Sequence, residues 1–272
     1  MEYNKIYQGH ALDVLKTFPD ECVDCFVTSP PYWKIRSYET DPVVWANGSN
    51  CTHSFHNDFC KKCGAWRGEL GAEPIPDLYI SHLCEIFDEV KRVLKSTGTC
   101  WINIGDTYGG SHGSGGDHNK GGIREGRPKS KGNNYRRKCL AGIPERLVLV
   151  MQDRGWIRRN TIIWHKTHCV PGSARDRFIV NFEYLYFFTK RQQYYFEPHS
   201  NKENCVWLIS PSGCRKNSFP KKLIKNPIKM GCPPDGVVLD CFVGTGTTCK
   251  VAQKLGRKYI GIDIKPLTNE KK

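Results

Sequence analysis

Six short apolar runs, at residues 24–28, 99–104, 160–164, 184–189, 237–240 and 259–264, are bounded by turn formers and alternate with stretches of helical periodicity. That alternation constrains the fold more than any other feature of the sequence. Strands separated by helices imply crossover connections, so the expected fold class is α/β, with a doubly wound, mostly parallel, Rossmann-like sheet. The clearest helical pattern covers residues 76–94, where Leu78, His82, Leu83, Ile86, Val90 and Val93 recur at helical spacing and residues 95–98 end the element. At 272 residues the chain can bury the core of one such domain and still carry insertions.

Three stretches stand outside the alternation. Residues 39–72 hold a Cys/His cluster, residues 107–138 are rich in Gly, Lys and Arg, and residues 192–218 mix aromatics, basic residues and turn formers. The middle stretch is too long for an ordinary connection in a compact domain and is expected to be a functional, flexible basic loop.

A formal net charge of +14 favours a polyanionic partner, because Lys and Arg neutralise phosphates and release condensed counterions. Charge alone does not separate nucleic acid from a ribosomal or membrane surface. No apolar run is long enough to cross a bilayer. The opening MEYNKIYQGH has neither the apolar core of a signal peptide nor the character of a transit peptide, so a soluble, cytoplasmic protein is expected. Most of the 14 cysteines are scattered through apolar segments and read as buried or free thiols rather than disulfides.

The chemistry begins with VVLDCFVGTGTT at residues 237–248, an apolar strand running into a glycine turn and then a helical pattern over residues 249–255. Gly244 and Gly246 let the backbone approach a ligand, and the following helix start offers free N–H groups there. A Walker A loop is excluded, since no Lys-Ser/Thr pair follows at the required spacing. The next strand ends in Gly261-Ile262-Asp263, placing a carboxylate roughly 20 residues after the glycines, as expected for a group that binds ribose hydroxyls. Upstream, residues 24–27 lead into TSPPYW at residues 28–33. Two prolines remove two N–H donors and leave rigid carbonyl acceptors beside an aromatic pair, which suits gripping the amine of a planar base; a purely structural turn has the same composition.

In this order, TSPPYW before DCFVGTGTT, the chain resembles the amino-group DNA methyltransferases of the permuted β arrangement. GHALDVL at residues 9–15, WINIGDTY at 101–108, IIWHK at 162–166 and SFP at 218–220 extend the resemblance over nearly the whole length. It implies a catalytic tetrapeptide Ser29, Pro30, Pro31 and Tyr32, in which Ser29 and the Pro30 carbonyl accept hydrogen bonds from the target amine and Tyr32 stacks on a flipped base. It also implies S-adenosylmethionine contacts along Asp240, Phe242, Gly244, Thr245, Gly246, Thr247 and Asp263, with Phe242 at the adenine, 244–247 at the methionine part and Asp263 at the ribose. The implied reaction is direct in-line transfer of the methyl group to the amine nitrogen, with no covalent enzyme intermediate. Ser at the first tetrapeptide position goes mostly with cytosine N4 in this family and Asp with adenine N6, so cytosine in double-stranded DNA is the expected target and adenine the alternative. The implied setting is a restriction-modification or phage protection system. A catalytically inactive DNA-binding regulator on the same fold is the rival of another class, and an RNA substrate is the remaining one.

The layout expected is a methyltransferase domain over 1–272, with a catalytic half at 1–190, a cofactor-binding half at 217–272, a zinc-binding insertion at 39–72, a flexible basic loop at 107–138 and a segment at 192–216 that is a candidate, alongside the basic loop and the insertion, for reading the target bases. Two departures from the family pattern stand out: Cys241 replaces the usual Pro, and the sequence stops at Lys272, where relatives usually continue into another helix.

Within the insertion, Cys51, His53, Cys60 and Cys63 supply four soft ligands in a small polar segment with little core of its own. Structural zinc is expected there, with His56 as the competing fourth ligand. Lys120, Arg124, Arg127, Lys129, Lys131, Arg136, Arg137 and Lys138 of the basic loop are expected to meet DNA phosphates.

Overall fold

The computed structural model describes residues 1–45, 50–110, 135–168, 174–198, 204–211 and 218–265. Its elements in chain order are β1 (Lys5–Gln8), α1 (Ala11–Lys16), β2 (Val23–Thr28), β3 (Val43–Trp45), β4 (Phe55–His56), β5 (Phe59–Cys60) and β6 (Trp66–Gly68). Then come α2 (Pro76–Val93), β7 (Leu94–Ile104), α3 (Ile143–Asp153), β8 (Ile157–His165), β9 (Phe182–Thr189) and β10 (Val206–Leu208). The chain ends with α4 (Lys221–Gly231), β11 (Val237–Asp240), α5 (Thr247–Lys254) and β12 (Lys258–Asp263). Among the described residues, no helix is long and apolar enough to cross a membrane.

The chain forms two compact units. The first, residues 1–30, 85–105 and 148–272, holds an eight-stranded sheet in the order β1-β12-β11-β2-β7-β9-β8-β10. Every neighbouring pair is parallel except those made by β9, which runs antiparallel to both β7 and β8. Seven strands therefore point one way, and the expected doubly wound, mostly parallel α/β sheet is what forms. Strand β2 is buried along its whole length, as a central parallel strand covered on both faces must be. Its Cys25 and Val27 join a core cluster with Trp101, Phe187 and the α4 residues Leu223, Ile224 and Ile228. On the opposite face, Phe26 packs edge-on against Phe87 with ring centroids 5.8 Å apart.

Residues 95–98, expected to end the α2 helix as a turn, belong instead to β7, which starts at Leu94 directly after the helix. The strand begins early because Leu94 pairs with Val23 and the Lys95 ammonium lies 2.7 Å from the Asp24 carboxylate, so the polar residues there are paired within the sheet. The stretch 192–218, expected to lie outside the alternation, contributes β10, a short strand at the edge of the sheet paired to β8.

The second unit, residues 31–84 and 106–147, contains a four-stranded antiparallel sheet in the order β3-β6-β5-β4. This small sheet carries the Cys/His cluster, as the insertion predicted over residues 39–72 requires. Its core includes a buried Glu73–His82 pair, Oε1 to Nδ1 3.1 Å, with the imidazole stacked against Trp45 and Trp66 at centroid distances of 4.4 and 5.5 Å. A buried carboxylate and imidazole are tolerated because each has a partner.

Candidate active site

In the first unit the C-terminal ends of β2, β11 and β12 lie side by side, because β11 is parallel to both its neighbours. This edge of an open α/β sheet, where connections leave in opposite directions, is where such folds bind ligands. Thr28 ends β2 and is followed by Ser29 and Pro30; Asp240 ends β11 and is followed by the glycine turn. The Thr28 hydroxyl donates to Asp240 Oδ1 at 2.6 Å, joining two motifs 212 residues apart in sequence.

Asp240 accepts two further hydrogen bonds, from the Phe242 N–H to Oδ1 at 3.0 Å and from the Thr248 hydroxyl to Oδ2 at 2.6 Å. Only 2% exposed, its carboxylate is held entirely by protein donors. Burial pushes its pKa up to about 6, against the downward pull of hydrogen bonds from Thr248, Thr28 and the Phe242 N–H. Thr28 and Thr248 were not singled out from the sequence; the signal for both is a hydroxyl residue flanking each motif.

The turn after Asp240 has Gly244 at φ +53° and Gly246 at φ +77°, conformations that favour glycine. A Cβ would make only ordinary contacts there, 4.0 Å from the Phe242 carbonyl oxygen at Gly244 and 3.9 Å from Lys250 Cε at Gly246, so backbone conformation rather than crowding is what favours glycine. Gly246 caps α5, which starts at Thr247 with no side-chain hydrogen bond to its cap. Thr245 and Thr247 place their hydroxyls 3.2 Å apart, and Phe242 is half-buried. Asp263, at the end of β12, accepts from the Gly244 N–H at 2.7 Å and the Lys265 N–H at 2.9 Å. A carboxylate has about four lone-pair positions, so acceptor capacity remains for a ligand hydroxyl. The residues expected at the cofactor, Phe242, Gly244, Thr245, Gly246, Thr247 and Asp263, are thus brought to one edge, while Asp240 is turned inward.

In the second unit the Pro31 carbonyl accepts from the Tyr79 hydroxyl at 2.8 Å, the Tyr32 N–H donates to the Tyr38 hydroxyl at 2.9 Å, and Trp33 Nε1 donates to the Glu73 carbonyl at 2.8 Å. Trp33 is fully buried, and Tyr32 is half-buried. Glu73 Oε2 also accepts from the Gly71 N–H at 2.8 Å. The buried Glu73–His82 pair therefore anchors the backbone that follows the tetrapeptide, a role that no sequence motif announced. Asp106, in WINIGDTY, accepts from the Gly142 and Ile143 N–H groups at 2.9 and 3.1 Å at the start of α3.

The four expected metal ligands converge. One ligand atom from each of Cys51, His53, Cys60 and Cys63 lies within 4.8 Å of all the others, whereas His56 sits exposed on β4. Gly64, at φ +76°, donates its N–H to the Cys60 carbonyl at 2.9 Å and closes the turn that carries Cys63. A tetrahedral zinc site has S···S edges of about 3.8 Å and S···N edges of about 3.5 Å. Here Cys51 and Cys60 sulfurs are 3.9 Å apart, and Cys63 Sγ and His53 Nδ1 3.4 Å. Burial alone would raise the Cys60 thiol; hydrogen bonds from the backbone of Ser54, Cys63 and Lys62 and from the His53 side chain outweigh it and bring it down to about 5. The donor set can hold a metal. Of the basic-loop residues, Arg136, Arg137 and Lys138 lie among the described residues; Lys120, Arg124, Arg127, Lys129 and Lys131 lie outside them.

The DNA methylase family of the N6/N4 type matches residues 23–268. Among curated relatives, the type II methyltransferase M.SmaI of Serratia marcescens is 35% identical over 96% of this chain and 86% of its own. M.Cfr9I of Citrobacter freundii is 32% identical over 96% and 83%. Among solved structures, PvuII DNA methyltransferase (cytosine-N4-specific) superposes with a TM-score of 0.68 at 18% identity, over 98% of this chain and 83% of that one. The putative DNA modification methylase TTHA0409 of Thermus thermophilus, solved with S-adenosyl-L-methionine, gives 0.61 at 22% identity over 96% and 88%.

Proposed function

This chain belongs to the N6/N4 DNA methylase family, and from that membership we propose that it methylates the N4 amine of cytosine in duplex DNA, using S-adenosylmethionine. The observation that carries the reading is the Thr28–Asp240 hydrogen bond, which fastens the Ser29-Pro30 end of β2 beside the glycine turn after β11. Donor and acceptor of a methyl group need such adjacency, because in-line transfer demands that both reacting atoms be held in one geometry. PvuII DNA methyltransferase, cytosine-N4-specific by its name, and Ser rather than Asp at position 29 favour cytosine over adenine.

Phe242, the turn from Gly244 to Thr247 and Asp263 would hold S-adenosylmethionine, and the left-handed glycine turn beside a carboxylate with acceptor capacity to spare fits a ligand that needs close backbone approach. When bound, the cofactor supplies an electrophilic sulfonium methyl. Ser29 and the Pro30 carbonyl accept the amine hydrogens of the target base and so orient its lone pair outward. Tyr32 stacks on the ring of the extruded base and replaces part of the stacking lost when the base leaves its helix. Asp240 acts through others: it positions the end of β2, the glycine turn and the start of α5 at once. Cys51, His53, Cys60 and Cys63 would hold a structural zinc, whose closed four-ligand site leaves no position for substrate.

Ser29→Ala and Tyr32→Ala are each expected to slow methyl transfer to DNA by about 10²-fold or more while cofactor affinity stays within about threefold of wild type. Radiolabel transfer and equilibrium cofactor binding measure the two. A parallel loss of cofactor affinity would contradict the assignment of these residues to the base.

A further inference from the structure

The connection from β8 to β9 is fastened at its base. The Lys166 N–H donates to the Asn181 carbonyl at 2.8 Å, the Asn181 amide meets His165 Nε2 at 2.9 Å, and Lys166 Nζ pairs with Glu183 at 2.5 Å. Just before that fastening, Phe178 stands 96% exposed, followed by Ile179 at 51% and Val180 at 48%. A single exposed hydrophobic residue is ordinary, but Phe178, Ile179 and Val180 form a continuous exposed apolar run, the kind of patch that marks an interaction site. Arg175 and Arg177, both exposed, precede it in the chain.

The sheet register shows at which edge β9 begins. Thr28 pairs with Ile102 of β7, and Ile104 pairs with Tyr184 of β9. Because β9 runs antiparallel, its beginning coincides with the C-terminal edge of the parallel strands, the edge that carries Ser29 and the glycine turn. Phe178 lies four residues before Phe182, the first residue of β9, and β9 is two strands away from β2, roughly 10 Å at ordinary strand spacing.

We propose that Phe178 is a wedge that enters the DNA duplex where the target base leaves it, with Arg175 and Arg177 on the flanking phosphates. The inference rests on the methyltransferase reading and names a residue that acts on the duplex around the target. Extruding a base leaves a gap in the stack, and an aromatic ring offers every neighbouring base a face to stack on. Apolar wedges with arginine beside them are a recurrent way for proteins to part base steps, and the positive arginines match the polyanion that the ring must approach. Ile179 and Val180 continue the apolar surface toward the fastened base of the connection.

The test is methylation of unmethylated duplex phage DNA with radiolabelled S-adenosylmethionine by the full chain. Phe178→Ala is expected to lower transfer about tenfold or more, whereas Phe178→Tyr, which keeps the ring, stays within about threefold of wild type. Cofactor affinity and thermal midpoint of both variants should match wild type, because the side chain packs against almost nothing in the protein. Phe178→Ala transfer within about twofold of wild type, or an equal loss in Phe178→Tyr, overturns the wedge. So does sedimentation showing a wild-type dimer that Phe178→Ala dissociates, since a second copy of the chain would then be what covers the ring. A wild-type protein that transfers no label to the DNA contradicts the methyltransferase reading itself, which separates that failure from failure of the wedge alone.

Discussion

Asp240 shows how far a motif residue's work can depart from its place in the motif. The family resemblance implied contact with the cofactor, yet its buried carboxylate takes its donors from Thr28, Thr248 and the Phe242 N–H. Sequence could not reveal this, because Thr28 reaches it from the other end of the chain. The pKa consequence has a definite sign. Folding raises the group from the ordinary carboxylate value near 4 to about 6, so the folded state binds its proton more tightly than the unfolded one. The stabilisation from that proton is full below about pH 4 and is lost as pH rises through about 6. Wild type is therefore expected to lose stability relative to Asp240→Asn between pH 4 and pH 7, as followed by urea midpoints of both proteins across that range. A difference that stays flat, or that moves in favour of wild type, would contradict an uncharged preference at this site.

At the scale of elements, legibility followed burial. Strands β2, β11 and β12 were readable because their burial patterns are nearly continuous and turn residues bound them. Strand β1, with a half-exposed pattern over Lys5–Gln8, and β10, with exposed Val206 and Leu208, sit at the two edges of the sheet and carry too little apolar signal to be seen. The Cys/His insertion was readable for the opposite reason: its ligand spacing encodes what its few apolar residues cannot. Strands of two or three residues, as β3 to β6 are, need support beyond their own ladders. Replacing Cys60 and Cys63 together by Ser is expected to release one bound metal per chain and to lower the thermal midpoint. Elemental analysis of the purified wild-type chain checks the premise, and a metal-free, fully folded wild type would contradict the zinc assignment.

For the whole molecule, the order of motifs was the strongest sequence signal. The tetrapeptide precedes the glycine turn by some two hundred residues, and the parallel neighbourhood of β2 and β11 turns that separation into adjacency. The tetrapeptide and the glycine turn were legible as motifs because each lies at the end of a buried strand. The bracing by Glu73, His82 and Tyr79 and the exposure of Phe178 were not, because they depend on tertiary neighbours rather than on spacing. The net charge of +14 agrees with a DNA substrate but carries no information about the base.

The identity of the methylated base is therefore the most direct test of the assignment drawn from Ser29. Purified protein incubated with radiolabelled S-adenosylmethionine and unmethylated duplex DNA, followed by digestion to nucleosides and chromatography, reads it directly. Label is expected in N4-methylcytosine. Label in N6-methyladenine would contradict the cytosine assignment drawn from Ser29 while leaving the two-motif site in place, and the absence of label despite cofactor binding would contradict the enzyme itself.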